Sequence, residues 1–145
     1  MFDPDFKGFI ESLNKNRVDY LVVGAYAVAF HAYPRYTKDM DVWIRGDRAN
    51  AERLLRALKD FGFEAIDLRI EALLEPETVI ELGYPPNRID LLTSLAGVDF
   101  EAAYPSRVEA DIGGVSANFI DLVNLKKNKK ATGRHQDLAD LQQLK

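Results

Sequence analysis

The chain contains no cysteine, which removes disulfides and thiolate-held metals from any reading of it. That usage suits a cytoplasmic protein, the compartment expected here. Long hydrophobic runs are missing too. The longest apolar stretch, Tyr20 to Phe30, falls well short of the ~20 residues that cross a bilayer, so no membrane role is expected. The opening residues Phe2-Asp3-Pro4-Asp5 are acidic where a secretory signal is basic, and no such signal is expected. Excess basic charge is also absent. A net charge of −4 argues against a protein that coats nucleic acid, while leaving room for a local basic patch. The only histidines are His31 and His135, neither with a partner at ligand spacing, and His31 reads as a helix-end packing residue. Internal repeats, low-complexity tracts and linkers are lacking. One domain over residues 1–145 is expected, long enough to bury a core.

What is present is concentrated between Tyr20 and Arg45, in YLVVGAYAVAFHAYPRYTKDMDVWIR. Tyr20-Leu21-Val22-Val23 is a short run of strand formers, and Gly24 permits an abrupt turn from strand to helix. Ala25 to Ala32 is apolar all round and predicts a buried helix, which Pro34 ends. Asp39-Met40-Asp41-Val42-Trp43-Ile44 then reads as a second strand. Residues two apart in a strand share a face, so Asp39 and Asp41 project together with Cα atoms about 6.6 Å apart. Carboxylates so close repel unless positive charge lies between them, and Mg²⁺ is a hard cation commonly held by one or two carboxylates. The pair taken alone reads better as solvated polar residues on an edge strand. Three neighbours favour the metal. The helix start after Gly24 offers N–H groups to an anion, Arg35 and Lys38 are phosphate partners within reach, and Asp90, among Ile89, Leu91 and Leu92, is a costly carboxylate to bury alone.

The rest of the chain supplies a scaffold. Phe6, Phe9, Ile10 and Leu13 predict an amphipathic helix over 4–16. Ala51, Leu54, Leu55, Leu58 and Phe61 predict another over 47–61, closed by Gly62. A strand is expected over 63–68 and a short helix over 69–75. Thr78 to Tyr84 and Arg88 to Thr93 predict an antiparallel hairpin around Pro85-Pro86-Asn87. Arg88, Asp90 and Leu92 share a face of its second strand, and Glu81 on the first reads as a cross-strand residue. Asp99 to Tyr104 predicts a helix stopped by Pro105, and Gly113-Gly114 a second hairpin. Asp121 caps a helix expected to turn Leu122, Val123 and Leu125 inward, ended by Gly133. A last helix over 135–144 is expected to bury Leu138, Leu141 and Leu144.

Gly24, Asp39-Met40-Asp41 and Ile89-Asp90-Leu91 together resemble the nucleotidyltransferase superfamily: a glycine turn after the first strand, acid-x-acid on the second, a third acid on a later strand. The string VGAYAVAFHAYPRYTKDMDVWI is similar to small bacterial nucleotidyltransferase-like proteins grouped with AbiEii-type toxins. LVNLKKNKKATGRHQDLADLQQL resembles the C-terminal end of the same family, including its Gly133-Arg134 and Asp137…Asp140 pattern. The resemblance implies an α/β (α+β) fold, a mixed sheet with flanking helices. It also implies transfer of a nucleoside monophosphate from an NTP to an acceptor hydroxyl. Asp39, Asp41 and Asp90 become the catalytic and metal residues, holding two Mg²⁺ (or Mn²⁺) ions about 3.5–4 Å apart, with Asp90 as ligand and base. Gly24, Ala25, Arg35, Thr37, Lys126, Lys129 and Arg134 fall to the nucleotide and its phosphates. Lys130, one helical turn after Lys126, could stand in for it, and Asp137 and Asp140 orient Arg134 and the helix end.

The family carries Gly or Ser where this chain has Ala25, against the phosphates. Other readings therefore stand beside the enzyme. One is a catalytically silent module that binds nucleotide or RNA. Another is an interaction protein, such as half of a toxin–antitoxin pair. Expected partners are an NTP, an RNA, protein or small-molecule acceptor, and a cognate toxin or antitoxin protein.

Overall fold

The computed structural model describes residues 4–32, 39–63, 68–83 and 88–144. Helix α1, Pro4–Lys15, turns Phe6, Phe9, Ile10 and Leu13 into the core, where all four are fully buried. Strand β1, Tyr20–Val23, is buried along its length, as expected of a strand with neighbours on both sides and both faces covered. Helix α2, Gly24–His31, follows without a linker, and strand β2 spans Met40–Ile44. Helix α3, Arg48–Phe61, is capped by Asp47, whose side chain accepts the Asn50 N–H at 2.7 Å, and is closed by Gly62 in the left-handed region. Asn50 is fully buried and donates to the carbonyls of Asp19 and Arg45, fastening α3 to the ends of β1 and β2.

A short helix α4, Ile70–Leu74, precedes the hairpin of β3, Val79–Leu82, and β4, Ile89–Leu92. Helix α5, Phe100–Ala103, runs directly into a 3₁₀ turn, Tyr104–Ser106. Pro105 thus sits inside a tightened helical continuation instead of stopping the chain there. Proline tolerates that position because the first N–H groups of a helix are unpaired anyway. Strands β5, Val108–Asp111, and β6, Ser116–Phe119, form the second hairpin. Asp111 accepts the N–H groups of Gly113 and Gly114 at its tip. Helices α6, Leu122–Thr132, and α7, His135–Gln143, close the chain. The expected strand over 63–68 and the Pro85-Pro86-Asn87 turn fall largely on residues outside the described ones.

The sheet order is β3-β4-β2-β1-β6-β5. The β3–β4, β2–β1 and β6–β5 pairs are antiparallel, whereas β2–β4 and β1–β6 are parallel. The mixed sheet with flanking helices is thus the expected architecture. Its two parallel joints bring distant parts of the chain together. Along β2, Met40, Val42 and Ile44 are fully buried while Asp41, on the alternate face, is only half-buried.

Two helix faces differ from the sequence pattern. Val123 is 62% exposed and Leu138 51% exposed. The inward face of α7, continued by the residue after it, runs through Asp137, Asp140, Leu141 and Leu144, so Leu141 and Leu144 turn inward as expected while Asp137 and Asp140 take the place of Leu138. Its two carboxylates are buried because a cation meets them, as shown next.

Candidate active site

Gly24 holds the first corner of the site. Its φ of +64° lies in the left-handed region, where a side chain costs roughly 1–2 kcal/mol. There is a second constraint. A Cβ at this position would collide with the carboxylate of Asp41 on the adjoining strand. Val23 is the residue paired with Asp41 across β1 and β2, so the chain turns into α2 just where that carboxylate projects. Gly24→Ala is expected to lose about 1–3 kcal/mol of stability and to push Asp41 out of place. Gly62→Ala is the control, since at φ +109° it strains the backbone with nothing within 4 Å. Thermal midpoints and Mn²⁺ titrations of both variants check this: if Gly24→Ala behaves like Gly62→Ala, contact with Asp41 is immaterial.

The parallel β2–β4 joint pairs Asp41 directly with Asp90. Residues in register on adjacent strands point to the same face, so the two acids lie side by side. Asp39 lies one residue before β2, two positions before Asp41. The Met40 N–H donates to the Arg88 carbonyl at 3.1 Å, drawing the start of β2 against the start of β4. Arg88 then spans the acids. Its Nε and Nη2 donate to the two carboxylate oxygens of Asp90 at 2.9 and 3.1 Å, in the two-pronged geometry that suits a guanidinium. The same side chain lies 3.5 Å from Asp39 and 3.6 Å from Glu81 on β3. Asp90 is 8% exposed, and the Arg88 guanidinium makes that burial tolerable. The hydrogen bonds to Asp90 raise the Arg88 pKa further.

Among the described residues, no guanidinium grips Asp41 in this way. Burial first, then the negative charges of Asp90 and Asp39, raise its pKa from the ordinary 3.8 to about 6, with Lys129 and Arg88 partly offsetting them. A carboxyl whose pKa is higher folded than unfolded holds its proton more tightly in the fold. Stability therefore falls as pH rises from about 4 to about 6, and stays lowered above that. Asp41→Asn removes the penalty. The metal-free variant is expected to be about 1–3 kcal/mol more stable than the parent at pH 7, with no gain at pH 3.5. Thermal midpoints in chelator at the two pH values check this, and an unchanged midpoint at pH 7 contradicts the burial-and-repulsion account.

The C-terminal helices stand over this face. The Asn128 amide donates to the Ala96 carbonyl at 3.0 Å. Gly97 lies so close to α6 that a Cβ there would meet Ala131 at 2.6 Å. These contacts fasten α6 to the loop after β4. His31 at the end of α2 meets the Ile120 carbonyl at 2.7 Å, a packing role as expected. Lys129 is buried, its Nζ 3.2 Å from Asp137 and 3.0 Å from Asp140. Arg134, largely exposed, donates through Nε to Asp137 at 2.8 Å, and its backbone N–H donates to the same carboxylate at 3.1 Å. Chiefly the Arg134 hydrogen bond, with help from Lys129, holds the Asp137 carboxyl well below the usual carboxylate range. Asp41 in turn raises the Arg134 pKa, after the larger effect of Asp137. The α6–α7 pair thus sets Lys129 and Arg134 within electrostatic reach of Asp41.

Of the residues singled out by sequence, the structure brings Gly24, Asp39, Asp41 and Asp90 together, with Lys129 and Arg134 nearby. Ala25 follows Gly24 in the first turn of α2, half-buried. Lys126 is half-buried on α6, and Lys130 is exposed. Arg35, Thr37 and Lys38 lie outside the described residues. Glu81 faces Asp90 across β3 and β4 and pairs with Arg88, the cross-strand role expected of it. Sequence reasoning missed the part played by Arg88, although its place two residues before Asp90 was the available signal. It also missed that Asp137 and Asp140 grip Lys129.

As arranged, no group of three or more acids or histidines among the described residues is gathered closely enough to hold a metal ion. The donors nevertheless suit one in kind. They are hard carboxylate oxygens on a single face, and burial together with their mutual repulsion raises the Asp41 pKa. A guanidinium contacts two of the three. A cavity of about 320 Å³ lined by Lys7, Gly8, Glu11 and residues 113–115 shares no residue with this face.

A six-stranded mixed sheet of this kind, flanked by helices, has the architecture of the nucleotidyltransferase fold. Two solved structures share it. A candidate nucleotidyltransferase of Thermotoga maritima aligns with 98% of this chain and 93% of its own, at a TM-score of 0.64 and 15% identity. An antigenic nucleotidyltransferase-like protein of Paracoccidioides brasiliensis aligns with 99% of this chain and 77% of its own, at a TM-score of 0.54 and 16% identity. At such identities the likeness is one of fold. No protein-family model and no curated protein matches the sequence. Among the described residues no helix is long and apolar enough to cross a membrane.

Proposed function

We propose that the chain is a metal-dependent nucleotidyltransferase that moves a nucleoside monophosphate from an NTP to a hydroxyl of RNA, protein or a small molecule. The observation that carries this is the in-register pair Asp41 and Asp90 beside Gly24. Asp39, Asp41 and Asp90 are the residues that would hold Mg²⁺ or Mn²⁺, which when bound supplies charge neutralisation for phosphate and lowers the pKa of an acceptor hydroxyl. The protein's own contribution is positional. Gly24 keeps the strand-to-helix turn free of side-chain atoms where the Asp41 carboxylate lies. Asp90, on a separate strand from Asp41, would accept the proton of the acceptor hydroxyl. Arg134 and, on α6, Lys126 or Lys130 would supply positive charge for phosphate oxygens; Lys129, expected to join them, is instead buried against Asp137 and Asp140. The likeness of VGAYAVAFHAYPRYTKDMDVWI and of the C-terminal segment to AbiEii-type proteins supports a role in a toxin–antitoxin or defence pair, and the lack of cysteine suits the cytoplasm.

A second reading is a silent nucleotide-, RNA- or partner-binding module. Ala25 and the Arg88 grip on Asp90 favour it. Incubation with each α-labelled NTP, Mg²⁺ or Mn²⁺ and total cell extract separates the two. The enzyme labels one class of acceptor. Unlabelled extract with all four nucleotides and both metals favours the silent module, and co-purification with a neighbouring gene product would identify a partner.

A further inference from the structure

We propose that Arg88 is a built-in placeholder cation: it neutralises the acid face in the metal-free protein and must release Asp90 before a divalent cation can bind there. This rests on the metal-dependent reading of the same site and goes beyond it. The guanidinium engages both oxygens of Asp90. It also reaches Asp39 from the start of β2 and Glu81 from β3, so a single side chain serves acids from three segments. Asp39 and Asp90 are two of the three proposed ligands.

A monovalent cation at this spot and a divalent cation on the same carboxylate repel each other strongly at contact distance. The two occupants therefore compete. The competition is workable because the Arg88 side chain is 29% exposed and long enough to swing to solvent. Its other contacts, at 3.5 and 3.6 Å, are ion pairs too long to fix it in place. Lys129 cannot do this work, because its ammonium is already held by Asp137 and Asp140.

The test is Mn²⁺ binding to chelator-treated protein without nucleotide, read as loss of the free Mn²⁺ paramagnetic signal. Arg88→Gln should bind Mn²⁺ about tenfold or more tightly than the parent. Arg88→Lys, which keeps the charge but loses the two-pronged grip, should fall between them. The thermal midpoint of Arg88→Gln should be lowered in chelator and should gain more than the parent's on adding Mn²⁺, which also shows the variant to be folded. Arg88→Gln binding Mn²⁺ no more tightly than the parent, while Asp41→Asn loses binding, overturns the placeholder role and leaves the metal site standing. Parent-like Mn²⁺ binding in Asp41→Asn and Asp90→Asn, or no saturable binding in any protein, overturns the metal reading and the placeholder with it.

Discussion

Asp90→Asn should lower nucleotidyl transfer by a factor of about 10²–10⁴, the range for removing a general base, while Mg-NTP affinity changes far less. The expectation follows from where the sheet puts this carboxylate. It comes from β4, in register with Asp41 but on the far side from Gly24 and α2. An acceptor would therefore approach it from the side away from the proposed triphosphate site, once Arg88 has released its oxygens. Asparagine keeps the size and one oxygen but cannot take a proton. Asp39→Asn should instead reduce binding and transfer together, because that residue belongs to the pair proposed to hold the metal-bound phosphates. The split between KM and kcat in the two variants is the measurement. Parent-like transfer by Asp90→Asn removes it as the base and makes Glu81, its cross-strand neighbour, the next candidate.

The largest loss of stability should come from Lys129→Met. Lys129 is 6% exposed, and Asp137 and Asp140 are 0% and 1% exposed. Removing the ammonium leaves two buried carboxylates on one helix turn, with Arg134 reaching Asp137 from the exposed side. Breaking a buried ion network by deleting one partner costs about 3–5 kcal/mol, or roughly 10 °C in the thermal midpoint of a domain this size. The triple variant with Asp137→Asn and Asp140→Asn should recover much of that loss, because the penalty is uncompensated charge and not lost volume. The pH dependence has a definite sign. Asp137 titrates lower folded than unfolded, so its contribution in the parent is full above about pH 4 and fades as pH falls below that. The gap between parent and Lys129→Met should therefore narrow in acid. A loss under about 1 kcal/mol at pH 7 would mean that Arg134 on Asp137 and Gln136 on Asp140, not Lys129, balance these acids.

How much of this was readable from the chain depends on the range of the interaction. Local signals did well. The Asp47 and Gly62 caps, the Gly113-Gly114 hairpin tip and the strand–Gly24–helix turn follow from backbone chemistry within a few residues. The shared face of Asp39 and Asp41 is a matter of strand period. That Asp90 joins them depends on the parallel β2–β4 pairing across almost fifty residues, which resemblance supplied and spacing could not. The apolar pattern misled on α7. Leu138, Leu141 and Leu144 make a plausible stripe, yet Leu138 faces solvent because Asp137 and Asp140 turn inward to meet a lysine from α6. A helix pattern read alone cannot reveal a buried charge whose partner lies on another helix. For the same reason Arg88 passed as an ordinary strand residue until its contacts with Asp39, Glu81 and Asp90 were in view.

The central claim is that these acids serve transfer of a nucleoside monophosphate. The most direct measurement follows α- and γ-labelled forms of the same NTP in parallel reactions with the accepting extract fraction. The account predicts that α-label enters the acceptor while γ-label leaves as pyrophosphate, and that Asp41→Asn abolishes both. Entry of γ-label into the acceptor, or α-label transfer that survives Asp41→Asn, would contradict it.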